Sequence, residues 1–232
     1  MKLKKITSLA LAGVMAVSML AGCSGKGNAN GDNGNNNPVV TPSTTSIIKA
    51  LNDGQSASND VKVDFKVDSE LDAALAKAVS VYGNDATNVE IMNAITMLTG
   101  VKSHHATDDD KIMRDVDKDT GFLTGDRSYF EKDNNKGESM NGKVYTVIGI
   151  ASVDALSEEA ALNQIANGAD ENIAELAKTG MNSAGNEPET GDKYFSYSYD
   201  GNASMVSVKK LDGSTTYWVV YIVNQNVAVK TL

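Results

Sequence analysis

The chain has 232 residues, a formal net charge of −9, 41% hydrophobic and 22% charged residues, one cysteine and two histidines. At this size one medium domain can bury a substantial core, and the composition excludes both a wholly disordered chain and a multi-span membrane protein. The acidic balance speaks against a nucleic-acid partner, which needs a basic face, and a lone cysteine excludes an intramolecular disulfide or a structural zinc held by several thiolates.

Lys2, Lys4 and Lys5 precede an uncharged run from Ile6 to Leu20 rich in Ala, Leu, Val and Met. This is a basic n-region followed by an apolar h-region, too short for the roughly 20 residues of a stable spanning helix. Leu20-Ala21-Gly22-Cys23 follows directly. The tetrapeptide resembles the lipobox of bacterial lipoproteins, in which a signal peptidase cuts just ahead of the cysteine. The resemblance covers residues 1–23 and implies a removed signal peptide, 1–22, and a diacylglycerol on the Cys23 thiol. Two acyl chains anchor stably, at about 0.8 kcal/mol per buried methylene, where one binds only marginally. The membrane is therefore the first expected partner, reached through covalent lipid on the extracytoplasmic face. Loss of the three lysines takes the formal charge from −9 to −12.

Residues 23–46 read as lipidated cysteine plus tether. Ser24 to Asn37 is almost wholly Gly, Asn and Ser, and Pro38 to Ser46 adds Pro, Thr and Val. Such a segment reaches roughly 70 Å when extended and spans about 25 Å on average. This Gly/Asn tether with a single lipid anchor resembles lipoproteins of Gram-positive bacteria.

Residues 47–232 are expected to form one α+β domain, starting near Ile47 or Val61. Val61 to Val67 alternates strictly and predicts a half-buried strand. Ser69 offers an N-cap for a helix through Leu71, Ala74, Leu75, Ala78, Val79 and Tyr82 to Gly83. Thr87 with Glu90 forms a capping box for a second helix, which carries Ile91, Ile95 and Leu98 and stops at Gly100. The stretch 102–142 loses periodicity and reads as an acidic, loop-rich insertion.

Lys143 to Val153 predicts an apolar strand buried on most of its surface. Ser157 opens the most regular helix, with Leu162, Ile165, Ala166, Ala169, Ile173, Leu176 and Ala177 on one face and an end at Gly180; Gly168 is the point where a kink or split is expected. The C-terminal part reads as a β-meander of 194–199, 203–210 and 215–223, turning at Asp200-Gly201 and Asp212-Gly213, with 227–232 as an edge strand. Tyr217 to Val223 is apolar on both alternating faces, which predicts an interior strand. An antiparallel sheet packed against amphipathic helices defines the α+β class.

Three groups of candidate site residues stand out. Asp115, Asp117, Asp119 and Asp126 occupy positions 1, 3, 5 and 12 of a loop similar to EF-hand and dockerin calcium loops, with Phe122 at the apolar position 8. Thr120 stands where that pattern needs glycine, and the glycine follows one place late at Gly121. His104-His105 precedes Asp108-Asp109-Asp110, but adjacent side chains seldom reach one metal and no third spaced ligand follows. Tyr197 and Trp218, among seven aromatics in the last sheet, offer stacking faces for a cell-wall glycan if exposed; buried, they are core and cross-strand pairs.

No catalytic residue can be named: there is no nucleophile elbow, no P-loop and no GxGxxG. The sequence favours a cell-surface lipoprotein of non-catalytic type that binds a glycan, a surface protein or another ligand, with calcium as the one candidate cofactor. An envelope-acting hydrolase is the alternative.

Overall fold

The computed structural model describes residues 40–83, 86–101, 138, 140–180, 189–210 and 213–232. The expected α+β architecture is present: helices pack on a mainly antiparallel sheet of five strands. In chain order the elements are β1 (Val40–Pro42), α1 (Thr44–Asp53), β2 (Val63–Lys66), α2 (Ser69–Tyr82), α3 (Asn88–Thr99), β3 (Val144–Ala155), α4 (Glu158–Ala174), β4 (Lys193–Lys209) and β5 (Thr215–Thr231).

The sheet runs β1-β4-β5-β3, and β2 joins the same edge of β4 as β1, in parallel. The two 17-residue strands β4 and β5 pair along their whole length, Lys193 opposite Thr231 and Lys209 opposite Thr215. β5 lies between β4 and β3, as its two apolar faces predict.

Alternation along β5 divides the core in two. Tyr217, Val219, Val223 and Val227 meet Phe195, Tyr197, Tyr199 and Met205 of β4 on one face, which α1 and α4 cover with Ile47, Leu51, Ile165 and Ile173. On the opposite face Trp218, Val220 and Ile222 join Val206, Val208 and Ile148 beneath Leu71, Leu75 and Val79 of α2 and Ile91 and Ile95 of α3. Each fully buried side chain of this kind contributes about 1.5 to 3 kcal/mol of transfer free energy.

Local signals set most helix ends. Thr87 accepts from the Glu90 N–H while the Glu90 carboxylate accepts from the Thr87 N–H, the capping box expected from sequence. Gly100 closes α3 in the left-handed conformation. Ser157 caps α4 through the Ala160 N–H, and Gly168 lies within an unbroken helix. At α2 the cap shifts by one residue: Asp68 accepts from Glu70 and Leu71, which makes Ser69 the first helical residue. α4 ends at Ala174 rather than continuing to Gly180, because Lys178 to Gly180 instead lies along β4.

Three further expectations need correction. Part of the stretch read as tether is structured: Val40–Pro42 pairs with Val206–Val208, and α1 starts at Thr44, not near Ile47. Ile47, Ile48 and Leu51 stand at helical spacing and give α1 one apolar face, and at ten residues the helix is stabilised by packing that face into the core. Asp200-Gly201 is not a turn either, and 227–232 is not a separate strand. Gly201 lies within β4 opposite Phe65 of β2, whose ring would stand 2.8 Å from a Cβ at that position.

Candidate functional site

The face that carries Trp218 is only partly apolar. Toward the C-terminal end of β5 its residues become Asn224 and Asn226, and the facing positions of β4 are Asp200 and Ser198. Register places Asp64 of β2, Asp200 of β4, Asn224 of β5 and Thr146 of β3 in one row across four strands. Strand spacing puts neighbours in such a row about 4.8 Å apart.

The row is stitched by side-chain hydrogen bonds. Thr146 Oγ1 donates to Asn224 Oδ1 at 2.8 Å, and Asn224 Nδ2 donates to Asp200 Oδ1 at 3.0 Å. Asn226 Nδ2 donates to Asp200 Oδ2 at 2.8 Å and to the Ser198 carbonyl at 3.3 Å. Both oxygens of the Asp200 carboxylate thus accept an amide; Thr146, Asp200, Asn224 and Asn226 are half-buried, while Asp64 is exposed. Beside them Lys66 pairs with Asp64 at 3.0 Å. The Asp64 hydrogen bond and charge, with the Asp200 charge behind them, hold the Lys66 ammonium above the ordinary lysine range.

Such an array presents amides, two carboxylates, an ammonium and hydroxyls on rigid strands. Its chemistry is hydrogen bonding to a polar ligand. Its carboxylates are already engaged, Asp64 by Lys66 and Asp200 by two asparagines, and no nucleophile–base pair is built into the row.

Two other polar groups serve the fold. Asp154 accepts from Thr216 Oγ1 at 2.5 Å and from Lys210 Nζ at 2.9 and 3.0 Å, and the Thr216 hydroxyl followed by the Lys210 ammonium keeps its carboxyl below the usual range. In the other core, fully buried Gln225 donates to Tyr199 Oη at 3.0 Å, and Tyr199 Oη donates to the Ala177 carbonyl at 2.8 Å. Burial pushes the Tyr199 phenol up to about 12, against the opposing effect of the Gln225 hydrogen bond.

The candidates from sequence fall elsewhere. Tyr197 is 5% and Trp218 2% exposed, on opposite faces of the sheet, so both belong to the core and neither presents a ring to a sugar. Among the described residues the Trp218 indole N–H has no hydrogen-bond partner. Cys23, His104, His105, Asp115, Asp117, Asp119 and Asp126 lie outside the described residues. Among the described residues no three His, Cys, Asp or Glu side chains gather as a metal site requires, and no helix is long and apolar enough to cross a membrane.

The polar row was missed because Asp200-Gly201 reads as a hairpin turn. Its signal was nonetheless present: polar residues two apart within strand sequences, at Asp64 and Lys66, Asp200 and Asn202, and Asn224 and Asn226, place one polar stripe on one face.

No protein-family model matches this chain, and neither a curated protein nor a solved structure matches it.

Proposed function

We propose that this chain is a lipid-anchored, extracytoplasmic binding module that uses the Asp64–Asp200–Asn224–Thr146 row, flanked by Lys66 and Asn226, to hold a polyhydroxylated ligand of cell-wall glycan type. The observation that carries this reading is the Asp200 carboxylate of β4 fixed by two side-chain amides, Asn224 and Asn226, of the neighbouring strand β5. A carboxylate accepts from a ligand hydroxyl, and a side-chain amide both donates to one and accepts from one. Holding them on paired strands spares the ordering entropy that mobile side chains lose on binding. The glycan reading thereby moves from Tyr197 and Trp218 to this row.

The anchoring half of the proposal rests on Lys2, Lys4, Lys5, the apolar run and Leu20-Ala21-Gly22-Cys23. The chain with Cys23→Ala is expected to leave the membrane fraction and lose incorporation of labelled fatty acid; continued labelling would end the lipobox reading.

The binding half is tested by retention on insoluble peptidoglycan and a panel of soluble polysaccharides. Retention by at least one glycan is expected, falling about tenfold or more in Asp200→Ala and Asn226→Ala, the scale of one or two lost charge-assisted hydrogen bonds. No retention on any of them, or retention indifferent to both substitutions, would defeat the assignment.

A further inference from the structure

Helix α3 is apolar on more than its packed side. Ile91 and Ile95 are completely buried in the core beneath it, yet Val89 is 60% and Met97 84% exposed, and Leu98 is exposed as well. Val89, Asn93 and Met97 follow at four-residue intervals along the outer side, a line of about 12 Å at the rise of a helix. Glu90, held in the capping box with Thr87, is the one charged residue of the helix. An exposed helix ordinarily turns charged side chains to water, and one that is apolar all round is covered.

Helix α2 extends this surface. It packs on α3, and its last two residues, Val81 and Tyr82, are exposed. Only residues 83–87 separate them from α3, which keeps them at its Val89 end. The way the chain enters the domain indicates what covers these side chains. Val40, the first described residue, packs against the same cluster as Ile91 and Ile95, and β1 lies beside α2. The chain that leads from Cys23 thus arrives on the α2 and α3 side of the sheet. Sixteen residues, 24–39, separate Val40 from Cys23, a reach of at most about 60 Å.

We infer that the outer side of α3, with the end of α2, rests on the lipid bilayer that holds the Cys23 anchor. Val89, Met97, Leu98, Val81 and Tyr82 enter the boundary between headgroups and acyl chains, where apolar helix faces of peripheral proteins lie about 5 to 10 Å deep. The inference rests on the lipid-anchor reading and uses no residue of the polar row. It turns α1 and α4, on the opposite side of the sheet, away from the membrane.

The tether makes so small a patch sufficient. A linker of this length holds the face near the bilayer at an effective concentration on the order of a millimolar, so a few apolar side chains engage that could not recruit the chain from solution. Tyr82 suits the rim of such a contact, because its ring enters the apolar layer while its hydroxyl stays among headgroups. α3 contains no lysine or arginine, so its contact is apolar and needs no anionic lipid, unlike that of a basic amphipathic helix.

The test uses the full chain produced in a bacterial host, checked for covalent fatty acid, and reconstituted in phosphatidylcholine vesicles whose lipids carry a nitroxide on the upper acyl chain. Lipid occupies the Cys23 sulfur, so Met97→Cys supplies the single free thiol for a fluorescent label. Glu171→Cys, exposed on α4, carries the same label as the reference. Quenching of the label at position 97 is expected to exceed that at 171 severalfold, equally at low and high salt. Val89→Glu, with an unchanged melting curve, should lower it about twofold or more, since a carboxylate in the first helical turn suits the helix dipole but not the lipid. Bound fatty acid with equal quenching at the two positions overturns this inference and leaves the anchor reading standing. A chain without fatty acid overturns the anchor reading and this inference with it. A label at 97 that is shielded from water yet not quenched by the nitroxides would place protein, of this chain or a second copy, on the face and overturns the inference equally.

Discussion

The ring of Tyr221 occupies the space that a side chain at Gly149 would fill: a Cβ there would stand 1.9 Å from Cζ and 2.2 Å from the phenol oxygen. The two residues face each other on β5 and β3, and glycine lets the ring fold down over its neighbour. Gly149→Ala is expected to destabilise the domain by about 1 to 3 kcal/mol, the usual cost of overpacking. Adding Tyr221→Val should recover part of that loss. Urea melts of the two single variants and the double variant measure the coupling, and strict additivity would show that the ring moves aside at no cost.

Asp200 bears on stability as well as on the proposed ligand. Its carboxylate accepts from Asn224 and Asn226, but the site is half-buried and water can replace it. Asp200→Ala should therefore cost only about 1 kcal/mol, the net value of an ordinary hydrogen bond. A loss of several kcal/mol in a denaturant titration would make the row a structural element first.

Tyr199 predicts a pH dependence. The unfolded chain ionises this phenol near pH 10, whereas the folded chain holds its proton to about pH 12. The raised value means that this contribution to stability is fully present below pH 10 and lost as pH rises from 10 through 12. A two-unit shift corresponds to about 2 to 3 kcal/mol. Tyr199→Phe should itself cost about 1 to 3 kcal/mol, because it removes the donor to the Ala177 carbonyl and the acceptor for fully buried Gln225. Its stability should then fall less steeply than that of the wild type between pH 9 and 11.5, where both chains share the other tyrosines and lysines. Parallel urea-midpoint curves over that range would refute the assignment.

Thr87 and Glu90 form the capping box of α3. Thr87→Ala should cost about 1 kcal/mol, the typical value for a lost N-cap. Glu90→Ala should cost less, and the double variant little more than Thr87→Ala, since the two side chains act through one motif. Chemical denaturation of the three variants checks the order.

Much of the domain is legible along the chain. The strand at Val63–Lys66, helix α2 through Leu71, Leu75 and Val79, the Thr87–Glu90 box, the Ser157 cap and the interior position of β5 all follow from period and capping chemistry. What was not legible has a common cause. Helix α1 carries Ile47, Ile48 and Leu51 at helical spacing, but at ten residues it is too short to hold by itself, and it is fixed by tertiary packing that buries Ile47 and Leu51 almost completely. The polar row is scattered over Asp64, Thr146, Asp200 and Asn224, and nothing in their spacing shows that four strands align them.

The lone cysteine and the run before it are local features, and the expectation of a lipid anchor depends on nothing beyond the first 23 residues. Helix ends and strand alternation are likewise settled within a few residues, because a cap or a pleat needs only its neighbours. Whether Asp200-Gly201 turns or runs straight is not settled locally. A dipeptide's turn preference amounts to about 1 kcal/mol or less, whereas β4 pairs with β5 through that point for 17 residues and lays Phe65 against Gly201. The same long-range pairing buries Tyr197 and Trp218 and leaves the asparagines beside Asp200 half-exposed. Composition supplied the aromatics and amides, and only the packing of helices on the two faces of the sheet determined which of them meet water.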